Sequence, residues 1–310
     1  MDFTLHQLRV FLKVVEKQSI SRAADELHLT QPAVSIQLKN LQQQFDLPLV
    51  EVIGRQLYVT DFGQEIAEAS RSIVDQVHEI TNKTMAYKGL MVGQLNIAVV
   101  STGKYVMPYF LTDFTKRYPG VELVMDVTNR SIVLQHLERN EVDFALVSVM
   151  PDHLNVDRVE LLENRLYLTR KYRSEDPSTL MQAEPLESIQ LIYREKGSAT
   201  RQAMEKFIAS HTATPKKSIE LTSNEAVKQA VLAGLGYSVM PLIGIRNELQ
   251  NNELEIIPIT GLPLVTHWNL IWLREKKLSP VAKAYLEFLG EHKDDMIKTH
   301  FEWYEQYDDS

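Results

Sequence analysis

The chain has no cysteine in its 310 residues. Disulfides, thiolate metal sites and a cysteine nucleophile are thereby excluded, and a reducing cytoplasm is the expected setting. It has no apolar run of the ~18 residues that a membrane span needs. The opening Met1-Asp2-Phe3-Thr4-Leu5-His6-Gln7 lacks a basic region and an apolar core, so no signal peptide is expected. A basic surplus is missing too. The net charge is −8, which argues against a general nucleic-acid coat protein. The phosphate-cradling Gly-x-x-x-x-Gly-Lys and the zinc-binding His-Glu-x-x-His are both absent. His136, His153, His211 and His267 lie on unrelated segments, and none sits in a nucleophile, base and acid arrangement. No catalytic residue, metal ligand or cofactor is assigned. What is present is a globular balance, 44% hydrophobic and 24% charged, long enough for two or more domains.

Residues 19–43 organise the rest. Ser19 can cap a short helix whose apolar face is Ile20, Ala23, Ala24 and Leu27. Thr30 can cap a second, with Pro32 in its first turn, where a missing N–H is tolerated. Val34, Leu38, Leu41 and Phe45 fall on one side of that helix. Pro32, Ser35, Ile36, Lys39 and Gln43 point away, flanked by Gln31 and Gln42. Such a short, polar face suits the major groove of DNA, whereas the competing reading is an ordinary solvated helical hairpin. Residues 1–60 balance six bases (Arg9, Lys13, Lys17, Arg22, Lys39, Arg55) against six acids (Asp2, Glu16, Asp25, Glu26, Asp46, Glu51). DNA affinity would then depend on placement and on multiple copies rather than on bulk attraction.

Leu5, Leu8, Phe11, Leu12 and Val15 mark a helix before this pair. Two β-prone runs around Gly54-Arg55-Gln56 predict a hairpin after it. Together they make a winged helix-turn-helix, with Arg55 at the wing tip able to reach a phosphate or stand solvated. Asp61 and Gln64 predict a capping box. Ile66, Ala69, Ile73, Val77, Ile80 and Thr84 then define the seam of a long helix, expected to pair with a second copy. Residues 89–93 read as a linker.

Strands and helices alternate from there. Strands are expected at 94–100, 121–127, 144–149, 166–170, 191–193, 218–221, 237–240 and 268–273. Helices are expected at 105–117, 131–139, 200–210, 224–233 and 280–289. The pattern predicts α/β lobes on parallel sheet, joined by crossovers near 161–165 and 262–267, with a ligand cleft between them. Ser101-Thr102 and Gly197-Ser198-Ala199-Thr200 each precede a helix, a geometry that favours an anion or simple capping. Lys104, Arg130, Arg194 and Arg201 are the nearby cations. The tail 291–310 is acidic and aromatic, either a docked helix or a partly ordered extension.

These residues resemble the LysR-type transcriptional regulators over nearly the whole length. The similarity rests on Leu8-Arg9-Val10-Phe11, Ser21-Arg22-Ala23-Ala24-Asp25-Glu26-Leu27, Thr30-Gln31-Pro32-Ala33-Val34-Ser35 and Thr60-Asp61-Phe62-Gly63. Within that family the second half resembles the regulators of carbon-fixation (Calvin-cycle) operons. The stretches are 99–105, 118–121, 194–201 and 223–236. The resemblance implies an α/β chain in four parts. They are a winged helix-turn-helix (1–60), a linker and dimerisation helix (61–92), a two-lobed periplasmic-binding-protein-like effector domain (93–300) and the tail (291–310). Lobe I would comprise 93–163 and 268–290, and lobe II 164–267.

It further implies a cytoplasmic homotetramer, dimerised through the linker helix, with operator DNA, a small anionic effector and RNA polymerase as partners. Expected DNA contacts are Ser21, Arg22, Thr30, Gln31, Pro32, Ala33, Ser35, Ile36, Lys39 and Arg55. Expected effector contacts are Ser101, Thr102, Lys104, Asn129, Ser148, Ser198, Ala199, Thr200 and Ser223. The chain departs from the family at Ile36, where many relatives carry arginine, and at Val50-Glu51-Val52, where they carry Phe-Glu-Arg. Ile36 cannot make arginine's bidentate guanine contact. A ligand-independent architectural DNA-bender and an enzyme using the cleft are the competing classes. The α/β half weighs against the first, the missing catalytic motifs against the second.

Overall fold

Thr4, Ser19 and Thr30 each accept a hydrogen bond from the backbone N–H three residues on, and so start three helices. These are α1 (Leu5–Lys17), α2 (Ile20–Glu26) and α3 (Gln31–Gln42). The computed structural model describes residues 2–54, 56–86, 91–173, 189–211 and 218–307. It divides into two compact units, Met1–Met91 and Val92–Ser310. In the first, Val10, Phe11 and Val14 of α1 meet Ala23 and Ala24 of α2 and Val34, Leu38 and Leu41 of α3 in one core. The two alanines keep the helix crossing tight. An antiparallel hairpin of β1 (Val50–Ile53) and β2 (Gln56–Val59) follows, pairing Val52 with Leu57. Gly54 supplies the left-handed turn residue, φ 66°. Arg55 lies outside the described residues.

The long helix α4 (Asp61–Ala86) has 26 residues, about 39 Å at 1.5 Å each. It does not begin with the expected Asp61 capping box. Thr60 is the cap: its Oγ1 accepts the Gly63 N–H at 2.9 Å and donates to the Pro48 carbonyl at 2.6 Å. Only a hydroxyl can do both, and this ties the helix start to the loop before β1. The apolar seam also splits. Ile66 and Val74 pack with Ala67 on the core, whereas Ile73 and Ile80 are 40% and 64% exposed. The side chain of Thr84 lies outside the described residues.

The second unit runs β3 (Val92–Val100), α5 (Met107–Arg117), β4 (Gly120–Thr128), α6 (Arg130–Glu138), β5 (Phe144–Val147) and β6 (Val156–Lys171). It continues through β7 (Leu191–Arg194), α7 (Ala199–Ser210), β8 (Ser218–Leu221), α8 (Asn224–Leu232) and β9 (Ser238–Pro241). α9 (Arg246–Gln250), β10 (Leu254–Ile256), β11 (Leu264–Leu273) and α10 (Pro280–Glu305) complete it. β3 pairs in parallel with β4 and β5, and β7 with β8, as expected. The main sheet is nevertheless mixed, in the order β10-β6-β11-β5-β3-β4 with β9 also on β6. The expected strands 166–170 and 268–273 are the ends of two longer ones. β6 and β11 run antiparallel from Leu264↔Leu166 to Leu273↔Val156, carrying the chain across both crossovers. Charged residues at Asp157, Arg158, Glu160, Glu163 and Arg165 had hidden the first half of β6.

Strand β9 lies beside β7 through the parallel bridge Leu191↔Tyr237. This completes lobe II around Leu191, Met204, Phe207 and Val239. The tail is a docked helix. α10 continues without a break to Glu305, and Met296, Phe301 and Tyr304 are buried. Among the described residues no helix is long and apolar enough to cross a membrane.

Candidate nucleic-acid face and ligand cleft

Capping and packing of α3 turn one side of it outward. Gln31, Pro32, Ile36 and Lys39 are exposed, Ala33 and Ser35 partly so, and Ser21, Arg22 and Thr30 are exposed beside them. Ile36 is 57% exposed, a large apolar side chain on a mostly polar face. Thr30 Oγ1 is committed to the Ala33 N–H. Gln42 is drawn inward: its Nε2 donates to the Leu47 carbonyl, and its Oε1 accepts the Leu49 N–H. It braces the loop into the wing and is not free to read a base.

The candidate ligand cleft draws on residues of both lobes of the second unit. Ser101 follows β3, but the expected helix does not open there. A 3-10 turn, Gly103–Tyr105, intervenes, Thr102 makes no capping hydrogen bond, and α5 begins only at Met107. The helix N-terminus expected beside Ser101 is therefore displaced along the chain. In lobe II the expectation holds, since Ser198 caps α7 through the Arg201 N–H. The N–H groups of Ala199 and Thr200, in the first turn, have no partner within the helix.

The lobes touch at hydrogen-bond distance. Arg194, at the end of β7 and 4% exposed, donates from Nη2 to Ser101 Oγ at 2.9 Å. Its Nε and Nη2 also form a fork with both Glu195 oxygens, each at 2.8 Å. Its Nη1 is buried and has no hydrogen-bond partner. Gly197 sits in the left-handed region at φ 92°, and a Cβ there would lie 2.7 Å from Ser131 Oγ of lobe I. The turn before α7 is thus pressed against the start of α6. Tyr105 of lobe I likewise meets Gly244 and receives a 3.4 Å hydrogen bond from Asn224.

The remaining candidates divide. Thr102, Ser148, Ser198, Ala199 and Thr200 are buried. Asn129 Oδ1 caps α6 and Ser223 Oγ caps α8. Among the cations, Arg130 holds the Val149 and Met150 carbonyls. Arg201 is held by Glu205, Glu220 and the Arg194 carbonyl. Lys104 lies 5.0 Å over the Tyr105 ring. Burial acts most strongly on Lys228 and depresses it, but the bond to Glu248 and the charges of Glu248, Glu225 and Tyr105 together outweigh burial and raise it. Arg194 is the member of this group with an unpartnered buried nitrogen. Sequence spacing could not single it out, because Ser101 is 93 residues away.

A winged helix-turn-helix joined to a two-lobed cleft domain defines a ligand-responsive DNA-binding transcription regulator. Residues 5–64 match the bacterial regulatory helix-turn-helix protein family of lysR type, and residues 88–294 the LysR substrate binding domain. The chain belongs to the LysR family of transcriptional regulators. It is 38% identical over 289 residues to a RuBisCO operon transcriptional regulator of Acidithiobacillus ferrooxidans, spanning 92% of this chain and 93% of that one. The regulatory domain of CcmR from Synechocystis PCC6803, in complex with 2-PG, is 32% identical. It superposes with a TM-score of 0.60 over 66% of this chain and 99% of that one. Full-length CbnR complexed with its target DNA shares the fold, with a TM-score of 0.64 at 19% identity over 93% and 99%. The curated relatives are named as regulators, not as enzymes.

Proposed function

We infer that this chain controls a RuBisCO operon in the cytoplasm by sensing a small phosphorylated carboxylate between lobes I and II. Arg194 carries the reading: a guanidinium from lobe II that touches lobe I and keeps one buried nitrogen unpaired. A phosphate or carboxylate would complete its hydrogen bonds, joined by the Ser101, Ser198 and Thr200 hydroxyls and the open N–H groups of α7. CcmR, whose regulatory domain takes 2-PG (2-phosphoglycolate), supplies the chemical class. The working parts are the divisions 1–60, 61–92, 93–300 and 291–310. Two copies pair through α4, and two pairs form a tetramer that sets four α3 helices on adjacent half-sites and bends the operator. Ligand changes the subunit packing only through unequal affinity for the two arrangements. RNA polymerase engages the relaxed form. No catalytic residue, metal or cofactor is assigned.

The test is DNase footprinting and calorimetry with 2-phosphoglycolate on the full chain. Ser198→Ala with Thr200→Ala is expected to weaken the ligand response about tenfold or more, as two buried hydroxyl contacts are lost. Basal operator affinity should stay within about twofold, since neither residue is in the DNA-binding unit. Footprints identical with and without ligand would remove the switch.

Ile36 is assigned a thymine methyl. Ile36→Ala should lower operator affinity about fivefold and relax preference at one base pair per half-site. Unchanged selection from a randomised operator pool would show that this side chain reads nothing.

A further inference from the structure

The last described residues touch three parts of the effector unit within seven positions. Phe301, 1% exposed, stacks on Phe110 of lobe I at a ring separation of 5.7 Å and meets Tyr109 edge-on at 5.3 Å. Tyr304 is on the crossover: its hydroxyl accepts the Arg165 backbone N–H at 2.7 Å. Burial pushes that hydroxyl up to about 12, so it stays neutral near pH 7. The Arg165 guanidinium donates to the Tyr304 and Tyr307 carbonyls at 3.2 and 3.3 Å. These are acceptors that a helix end leaves open. Trp303 reaches lobe II, where Arg246 lies 4.3 Å over its ring. Tyr307 packs edge-on against Tyr167 of lobe II at 6.3 Å. The LysR substrate binding domain match stops at residue 294, before any of these groups.

A helix anchored on lobe I, crossover and lobe II resists rotation of one lobe against the other. The anchors coexist here with the Arg194 to Ser101 contact that joins the lobes. We propose that residues 301–307 form an interlobe strap, with Trp303 and Tyr304 as positioning residues, which raises the closed population and thereby tightens ligand binding. The effect on affinity rests on the effector reading above; the effect on lobe angle does not. Strap and ligand favour the same state, so each strengthens the other by the same factor.

The absence of native cysteine permits a clean test. Spin labels go on Lys116→Cys in α5 and Lys206→Cys in α7, both exposed, in the otherwise native full chain. Without ligand, Trp303→Ala and Tyr304→Phe should each lengthen and broaden the distance distribution. The affinity for 2-phosphoglycolate should fall about fivefold on loss of the cation–π anchor. Trp303→Phe keeps a ring beneath Arg246 and should restore most of both. Arg246→Ala breaks the contact from the exposed side if Trp303→Ala fails to fold. Distance distributions unchanged in Tyr304→Phe and Arg246→Ala overturn the strap, as does ligand affinity that tightens in either. A native chain that does not bind 2-phosphoglycolate defeats the effector reading, and the distances alone then judge the strap.

Discussion

Gly63→Ala is expected to abolish operator binding while leaving the ligand affinity of the cleft intact. A Cβ at this position in the first turn of α4 would sit 1.9 Å from the Leu49 carbonyl oxygen and 2.8 Å from its carbon. Both are backbone atoms, so no side chain can rotate away. Nor is the Leu49 carbonyl free to move, since it accepts the Thr60 N–H at 3.1 Å, beside the hydroxyl that caps α4. Relief requires shifting either the helix start or the loop that leads into the wing. Both are fastened to the core through Leu49, which is fully buried. Overlap of this kind costs more than about 3 kcal/mol, a large part of what holds a small domain together. The melting temperature of the DNA-binding unit should fall by about 15 °C. Circular dichroism melts, operator titration and calorimetry with 2-phosphoglycolate would measure the three quantities together. Native operator affinity with an unshifted melt would show that the chain absorbs a Cβ here.

The parts readable from sequence are those whose causes are local. Ser19, Thr30 and Pro32 act within one helical turn of themselves, so α2, α3 and the outward face of α3 follow from spacing. The wing follows from two short β runs around a glycine. The cap of α4 did not, because Thr60 is distinguished from Asp61 only by a partner at Pro48, twelve residues away. Strand β6 was half-hidden for a related reason: its charged residues look like loop until β11 pairs with it. Local pattern leaves the tail open, because Phe301 and Tyr304 find Phe110 and Arg165 only after the whole effector unit has folded. In the cleft, the Gly197-Ser198 turn was legible as a cap. The 3-10 turn after Ser101 and the choice of Arg194 among several cations depend on contacts between lobes, which no local pattern encodes.

Arg194→Ala should produce the largest loss of ligand affinity of any single change in the cleft, about a hundredfold or more, because removing one partner strands the other. The guanidinium serves three clients at once: both Glu195 oxygens, Ser101 Oγ and, in our reading, the ligand. Without it the Glu195 carboxylate, whose side chain is only 14% exposed, faces an incoming anion with no cation between them. Lysine is a poor substitute. Its single ammonium cannot reproduce the planar fork to Glu195 and still reach Ser101, so Arg194→Lys should lose about tenfold. Glu195→Gln has the opposite sign, because it releases guanidinium charge now neutralised within the protein and should tighten anion binding about threefold. The pair gives a cycle that separates repulsion from lost contact. If stranded charge dominates, Arg194→Ala with Glu195→Gln recovers much of the affinity that Arg194→Ala loses. If the direct contact dominates, the double variant stays as weak as the single one. In the first case Arg194 acts by neutralising Glu195; in the second it is the charge reader. Calorimetry that finds Arg194→Ala within threefold of the native chain, with the effector unit still folded, would move the anion site away from the Ser101 side of the cleft.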